Sequence, residues 1–227
     1  MPILTTVDSV RTMVRMQSIQ DIDTAITRGL SLTSLGLETA LQTSFDLWTG
    51  YDIFRLDPTI PKRNMFMYKW RLSNGFVDST QAFTVKIAAL VSDFTLNTKA
   101  VLDITSDCNT QYEKGVIDNI GGPLAWPSNL GMNTGDAKLI GNFARVDYTS
   151  GFNVTADLYD PAAVPVWLQD AAALGAVHHV DKLMPTLRHP KGAPPDVKGD
   201  HSYYCGIVTK HIRYYPRYSN PLYRNPG

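Results

Sequence analysis

The chain has 227 residues, 44% of them apolar and 19% charged, an ordinary composition for a globular protein with one sizeable core. No run of 18 apolar residues occurs, so we expect no membrane span. The N-terminal MPILTTVDSV lacks the basic and apolar stretches of a secretory signal, and Cys108 and Cys205 have neither metal-like nor disulfide-framework spacing. These features favour synthesis in the cytoplasm.

The formal net charge is zero, but the charge is divided unevenly along the chain. From Lys182 onward there are eight basic and two acidic residues, a net charge of +6. The residues before Lys182 include 13 basic and 19 acidic ones, a net charge of −6. An acidic body with a basic tail usually indicates that the tail is an interaction segment.

Residues 1–50 have the pattern of helices. Two caps are predicted, each a hydroxyl residue followed three residues later by an acid: Thr5 with Asp8, and Ser18 with Asp21. Apolar residues then recur at helical spacing over residues 22–48. Gly29 and Gly36 lie inside this run, where they either interrupt the helix or allow a close neighbour. Gly50 is the predicted end of the helix.

Residues 51–140 change to a β-rich pattern, which we interpret as an insertion between the helical parts. Residues 65–72, the Asn74-Gly75 pair and the residues from Phe76 onward predict a hairpin, because Asn-Gly is a strong signal for a tight turn. Further strands are predicted at 83–90, 94–104 and 115–120. The composition of residues 121–136 predicts a loop, with Trp126 as an exposed aromatic candidate.

Residues 141–184 predict a strand followed by a helix. Apolar and polar side chains alternate with period two over residues 142–149, and Ser150-Gly151 ends the alternation. Pro165 suits the first turn of a helix, and the Ala- and Leu-rich run after it favours helix up to residue 183.

Residues 185–227 contain seven of the fourteen prolines and six of the eleven tyrosines. We expect an extended arm, with one strand at 205–215, because so many prolines disfavour long helices. Arginines and tyrosines interleave near the end of this tail, and both residue types are enriched at interface hot spots. Nucleic-acid binding and a solvated tail are the alternatives. A protein partner is favoured because the rest of the chain is acidic.

Catalytic and metal signals are weak in this sequence. His178, His179 and Asp181 cluster near a helix end, but adjacent histidines do not share a helix face as metal ligands do. A favourable interaction with the helix dipole explains their position better. No nucleophile elbow, zinc-binding helix motif or phosphate-binding glycine loop occurs. We therefore expect a protein that is not an enzyme and uses no cofactor or metal.

The sequence of residues 144–174 resembles that of the head–tail connector (adaptor) proteins of tailed bacteriophages. In that family a strand of the YVRVTYTAGF kind leads into a VPxxLxxAxxxLAAH helix. The matching residues are Ala144, Arg145, Val146, Asp147, Tyr148, Thr149, Ser150, Gly151 and Phe152, then Val164, Pro165, Leu168, Ala171 and Leu174. The two N-terminal helices fit the family by pattern, whereas the β-rich insertion and the long tail depart from its shorter members.

The resemblance implies a function in the virion neck. Family members form a ring, commonly of twelve copies, that lies below the portal, extends the DNA channel and offers a surface to the next neck or tail protein. Their C-terminal segment commonly docks onto the portal. By position at the chain end, the portal-binding residues would be Tyr203, Tyr204, Arg213, Tyr214, Tyr215, Arg217, Tyr218, Tyr223 and Arg224. Genomic DNA would pass through the channel without specific binding, which an acidic body favours.

Together these patterns predict an α+β protein in four segments. Residues 1–50 and 141–184 form a helical connector core, 51–140 a β-rich insertion with antiparallel strands, and 185–227 an extended arm. The predicted function is that of a structural head–tail adaptor. The alternative is another virion or surface module, a β-sandwich that binds a glycan or receptor, with Trp70, Trp126 and tyrosines as its platform. An enzyme is the third hypothesis.

Overall fold

The computed structural model describes residues 2–14, 21–55, 69–96, 101–118, 143–183, 197–212 and 221–226. It combines helices with antiparallel sheets and so confirms the α+β class. The chain divides into two compact units. The first comprises residues 1–46 and 152–214, and the second comprises residues 47–151 and 215–227.

In the first unit the described residues form the helices α1 (Val7–Val14), α2 (Asp21–Leu41), α4 (Val166–Leu183) and α5 (Val197–His211). Helix α4 packs against the other three. The apolar stripe of α2 is buried because its members recur at helical spacing: Ile22, Ile26, Leu30, Leu37 and Leu41. The helix predicted over residues 164–183 is confirmed.

The ends of the N-terminal helices differ in detail from the prediction. Thr6 rather than Thr5 caps α1, since its Oγ1 accepts a hydrogen bond of 3.2 Å from the Ser9 amide. The second predicted cap, Ser18, lies outside the described residues. Helix α2 ends at Leu41, not at Gly50, because Gln42 adopts a left-handed conformation with φ 51°.

Helices α2 and α4 approach each other closely through small residues. A Cβ atom at Gly29 would lie 3.1 Å from the carbonyl oxygen of Ala176, and one at Gly175 would overlap the side chain of Thr33. Gly36, in contrast, has open space around its Cα. Gly29 therefore allows the close approach of α4, which was one of the two predictions for it. Neither Gly29 nor Gly36 interrupts α2.

The second unit contains two antiparallel sheets. The strands are β1 (Trp48–Arg55), β2 (Trp70–Arg71), β3 (Thr84–Ala88), β4 (Leu102–Asp103), β5 (Asn109–Gln111), β6 (Val116–Asp118), β7 (Phe143–Ser150) and β10 (Tyr223–Pro226). The order of the five-stranded sheet is β10-β1-β7-β3-β4, and that of the three-stranded sheet is β2-β6-β5. A short helix, α3 (Asp93–Leu96), follows β3.

Both sheets of the second unit share one buried cluster. Its members alternate along the strands, as the pleat requires. They are Phe54, Trp70, Leu72, Val77, Val85, Ile87, Ile104, Ile117, Ala144, Val146 and Tyr148. The stacked rings of Phe54 and Trp70, with centroids 5.2 Å apart, join the five-stranded sheet to the three-stranded one. The strands predicted near 83–90, 115–120 and 142–149 are confirmed.

Three predictions for residues 65–150 were wrong. Trp70 and Arg71 pair with β6 instead of forming a hairpin across Asn74-Gly75, because the Phe76 amide donates to the Glu113 carbonyl group. In the segment 94–104, the described residues up to Leu96 belong to α3, and of the described residues after them Leu102–Asp103 form a strand. The strand β7, assigned to the helical core, lies between β1 and β3 in the second unit.

The tail is not an extended arm throughout. Residues Val197–His211 form α5, so the strand predicted at 205–215 was wrong over its first seven residues, and β10 near the chain end joins the five-stranded sheet. The predicted loop at 121–136, with Trp126, lies outside the described residues. No helix in the described part of the chain is both long and apolar enough to cross a membrane.

Candidate partner-binding surface

The predicted portal-binding residues fall into three groups in the structure. Tyr203 and Tyr204 lie on α5, and Tyr223 and Arg224 lie in β10. The remaining residues lie outside the described ones: Arg213, Tyr214, Tyr215, Arg217 and Tyr218. The described residues of the predicted set therefore occupy two elements, which belong to different units of the chain.

Helix α5 packs on α4 through the face that carries Tyr204, Val208 and His211. These positions follow the i, i+4, i+7 spacing of one helix face. The His211 ring stacks on Trp167 of α4, with centroids 3.6 Å apart and an interplanar angle of 9°. Val208 is buried. This face holds α5 in the first unit.

Tyr204 is partly withdrawn from solvent on this inner face. Burial raises the pKa of its hydroxyl, and the nearby Cys205 raises it further. A raised pKa keeps the phenol neutral at physiological pH, since the charged form is disfavoured by desolvation. Tyr204 therefore contributes to the packing of α5, and its ring is less available to a partner than the sequence suggested.

Tyr203 lies about 100° around the helix from Tyr204 and faces solvent. Its side chain is 65% exposed, and the neighbouring Ser202 and Lys210 are exposed as well. Gly206, one turn along the same face, has open space around its Cα. The outer face of α5 thus presents the Tyr203 ring and the Lys210 cation, with Gly206 between them leaving the backbone accessible. An exposed aromatic ring of this kind is typical of protein interfaces.

Strand β10 pairs antiparallel with β1 over four residues. Gly50 is opposite Pro226, Tyr51 opposite Asn225, Asp52 opposite Arg224 and Ile53 opposite Tyr223. Just before the strand, the Leu222 amide donates a hydrogen bond of 2.7 Å to the Ile53 carbonyl group. The Leu222 side chain is 61% exposed. The chain end is therefore attached to the second unit as an edge strand.

The structure explains the sequence pattern of the connector-like segment, residues 144–174, by the burial of its side chains. In β7, Ala144, Val146 and Tyr148 are buried, whereas Arg145, Asp147 and Thr149 alternate with them and are partly exposed. Gly151 ends the strand with φ 87°, a left-handed conformation that favours glycine. In α4, which follows Pro165, Leu168 and Ala171 are fully buried. The pattern therefore reflects core packing at these positions.

The connection between β7 and α4 is a small hairpin, β8 (Val154–Thr155) with β9 (Leu158–Tyr159), in the first unit. The rings of Phe45, Phe152 and Tyr159 meet beside it, with centroid distances between 6.0 and 6.2 Å. The Tyr159 hydroxyl donates to Asp46 Oδ1 at 2.7 Å. Burial and this hydrogen bond raise the pKa of Tyr159, so its proton stays on the phenol.

Sequence reasoning missed a buried polar network in the second unit. The Asp52 carboxylate is fully buried and accepts three hydrogen bonds. They come from the Ser73 amide at 2.6 Å, the Ser73 hydroxyl at 2.7 Å and the Tyr148 hydroxyl at 2.8 Å. Only the aspartate inside the β1 strand pattern could have suggested this network from the sequence, because Tyr148 is opposite Gly50 on the neighbouring strand and approaches Asp52 diagonally.

Neither the glycan platform nor the metal cluster is assembled by the described residues. Trp70, the described tryptophan of the proposed platform, is 1% exposed and belongs to the core. The rings of His178 and His179 lie 6.1 Å apart and steeply inclined. Across the ranges that the structure describes, no three His, Cys, Asp or Glu side chains come together as a metal site would require.

Comparisons with known proteins give a likeness to solved structures but to no known family. No protein-family model matches the chain, and no curated protein matches it. Among solved structures, a chain from the neck of an empty GTA particle, computed with C6 symmetry, aligns with 92% of this chain and 89% of its own length. The identity is 14% and the TM-score 0.38. At these values the likeness does not by itself establish a function.

Proposed function

We propose that the chain is a structural virion protein, a head–tail adaptor that forms a ring below the portal and joins the head to the tail. The ring extends the DNA channel, offers its far side to a downstream neck or tail protein, and has about as many copies as the twelve-fold rings of the connectors that it resembles. DNA passes through it without specific binding. The role is structural and not catalytic, and needs no cofactor.

The observation that carries this proposal is the segment from β7 to α4. The sequence of this segment resembles that of the connectors. Its residues form a strand, a glycine turn and a helix that begins after a proline, in the order that the resemblance implies. Helix α4 packs against α1, α2 and α5, so the connector-like helix is the centre of the first unit. This supports a connector-type core, into which the second unit is inserted.

The outer face of α5 is the portal-binding surface in this proposal. Tyr203 is its aromatic anchor, because it is exposed on a helix that Tyr204, Val208 and His211 hold in place. Aromatic residues at the centre of interfaces typically cost more than 1 kcal/mol when truncated. The portal residues that receive it would be apolar with an acidic rim, to match Tyr203 and Lys210.

Tyr203→Ala tests this surface. We expect the variant to bind portal-bearing particles roughly tenfold more weakly, as measured by sedimentation with the particles, while its thermal unfolding stays unchanged. Ser202→Ala, an exposed neighbour on the same helix, is the matched control and should bind like the original chain. Equal binding by Tyr203→Ala would remove this face of α5 from the interface.

Cryo-electron microscopy of the chain mixed with portal-bearing particles tests the function itself. The expected result is a symmetric ring of this protein beneath the portal, with the first unit in the ring wall. A chain that stays monomeric beside unoccupied portals, under conditions in which the particles are intact, would refute the adaptor function.

A further inference from the structure

We propose that β10 is exchanged between copies, so that in the assembled ring the C-terminal strand of each subunit pairs with β1 of its neighbour. The inference rests on the proposed ring and concerns how its subunits are joined. The partner is a second copy of this chain, and the contact is the edge of the five-stranded sheet.

The position of β10 makes exchange possible without loss of the sheet. It is the edge strand of its sheet, and among the described strands its neighbour there is β1. Strand β1 is also paired with β7 along all eight of its residues, from Trp48 to Arg55. The sheet β1-β7-β3-β4 therefore remains intact when β10 leaves.

The described pairing of β10 with β1 is short. Four residue pairs hold it, and the preceding Leu222 side chain is largely exposed. Edge pairing of this kind can be made equally well by an identical strand from another copy, since main-chain hydrogen bonds do not depend on which chain supplies them.

The route of the chain also favours exchange. Strand β10 follows α5, which belongs to the first unit, whereas β10 itself belongs to the second. No local turn connects β10 to β1, and the paired residues are about 170 positions apart in the sequence. In a ring, the β1 edge of the adjacent subunit is present at high effective concentration. Exchange keeps the β1 edge paired in every subunit, and it is a low-cost way to link identical subunits.

A pair of cysteines at one register position tests the exchange. Tyr51 and Asn225 are directly opposed across β1 and β10, and opposed residues have Cβ atoms about 5 Å apart, close enough for a disulfide. The full-length double variant Tyr51→Cys/Asn225→Cys is made in a Cys205→Ser background, because Cys205 is exposed. It is bound to portal-bearing particles and oxidised with copper(II) phenanthroline.

The expected result is a covalent ladder in non-reducing gels, made of multiples of the 25.2 kDa chain, that collapses to the monomer on reduction. A matched control, Tyr51→Cys with Leu222→Cys, shifts one cysteine three residues along the chain, about 10 Å, and should give no ladder. Mixing the two single variants, Tyr51→Cys and Asn225→Cys, should give covalent dimers joined between unlike chains.

The result that overturns the exchange is a double variant that forms rings but cross-links only within each chain. That outcome leaves the adaptor function standing, because the rings are visible in micrographs independently of the gel. Absence of rings on intact portal-bearing particles overturns both proposals, and the micrographs alone reveal it.

Discussion

Asp52 shows what a single residue contributes to the second unit. A carboxylate inside a core is costly unless hydrogen bonds satisfy it. Here the Ser73 amide and hydroxyl and the Tyr148 hydroxyl surround it, so the network fixes the segment after β2 against β1 and β7. Tyr148 belongs to the connector-like segment of the sequence, and its hydrogen bond to Asp52 explains why a tyrosine is found at this position.

We expect Asp52→Ala to lower the free energy of unfolding by about 3 kcal/mol, since it leaves buried donors without their acceptor. Chemical denaturation monitored by tryptophan fluorescence measures the change. Tyr148→Phe removes one donor from the same network and should cost only about 1 kcal/mol. An Asp52→Ala variant as stable as the original chain would show that the network does not stabilise the fold.

At the scale of elements, the contact between α2 and α4 depends on Gly175. A methyl group there would overlap Thr33, which is itself buried on α2. We expect Gly175→Ala to destabilise the chain by about 2 kcal/mol, because overpacking outweighs the better helix propensity of alanine. The midpoint of thermal or urea unfolding measures this.

Gly36→Ala is the control for that prediction. It also lies in a long helix of the first unit, but open space surrounds its Cα, so alanine should stabilise the chain by about 0.5–1 kcal/mol. If both variants shift stability in the same direction, the close approach of α2 and α4 at Gly175 is not what determines the effect.

Local periodicity predicted the elements whose burial follows their own sequence. The period-two alternation of β7 and the proline-opened α4 are examples, because each buries one regular face. The hairpin at Asn74-Gly75 was wrong because long-range hydrogen bonds, from Leu72 and Phe76 to the segment at 113–115, replace the local pairing. A strong turn signal does not specify which strand lies alongside.

The helix α5 was not predicted, because prolines are frequent in the tail as a whole but not in the part that forms the helix. No proline occurs between Pro195 and Pro216, and α5 forms inside that interval. Of the candidate site, the sequence grouped Tyr203 with Tyr204 as partner-binding residues. The helix of α5 separates them, because adjacent side chains point about 100° apart, which leaves Tyr203 exposed and Tyr204 partly buried. The pairing of β10 with β1 joins residues too distant for any local pattern to reveal.

On the scale of the whole molecule, the second unit is nearly continuous in sequence. Residues 47–151 carry seven of its described strands and the entire described buried cluster. We therefore expect this fragment, produced alone, to fold with a cooperative thermal transition and dispersed amide NMR signals. The fragment 47–142, which lacks the central strand β7, should not fold. Two equally unfolded fragments would contradict the division of the chain into these units.

Strand β10 also has a mechanical consequence. Its four pairs with β1 run from Ile53–Tyr223 to Gly50–Pro226, with Pro226 nearest the chain end. A pull that peels the chain from its C-terminus loads these pairs one after another, beginning at Pro226. Strand β7, held along eight residues on one side and five on the other, shares a load among many bonds at once. Under tension β10 would therefore detach from the sheet first, and the other strands would stay paired.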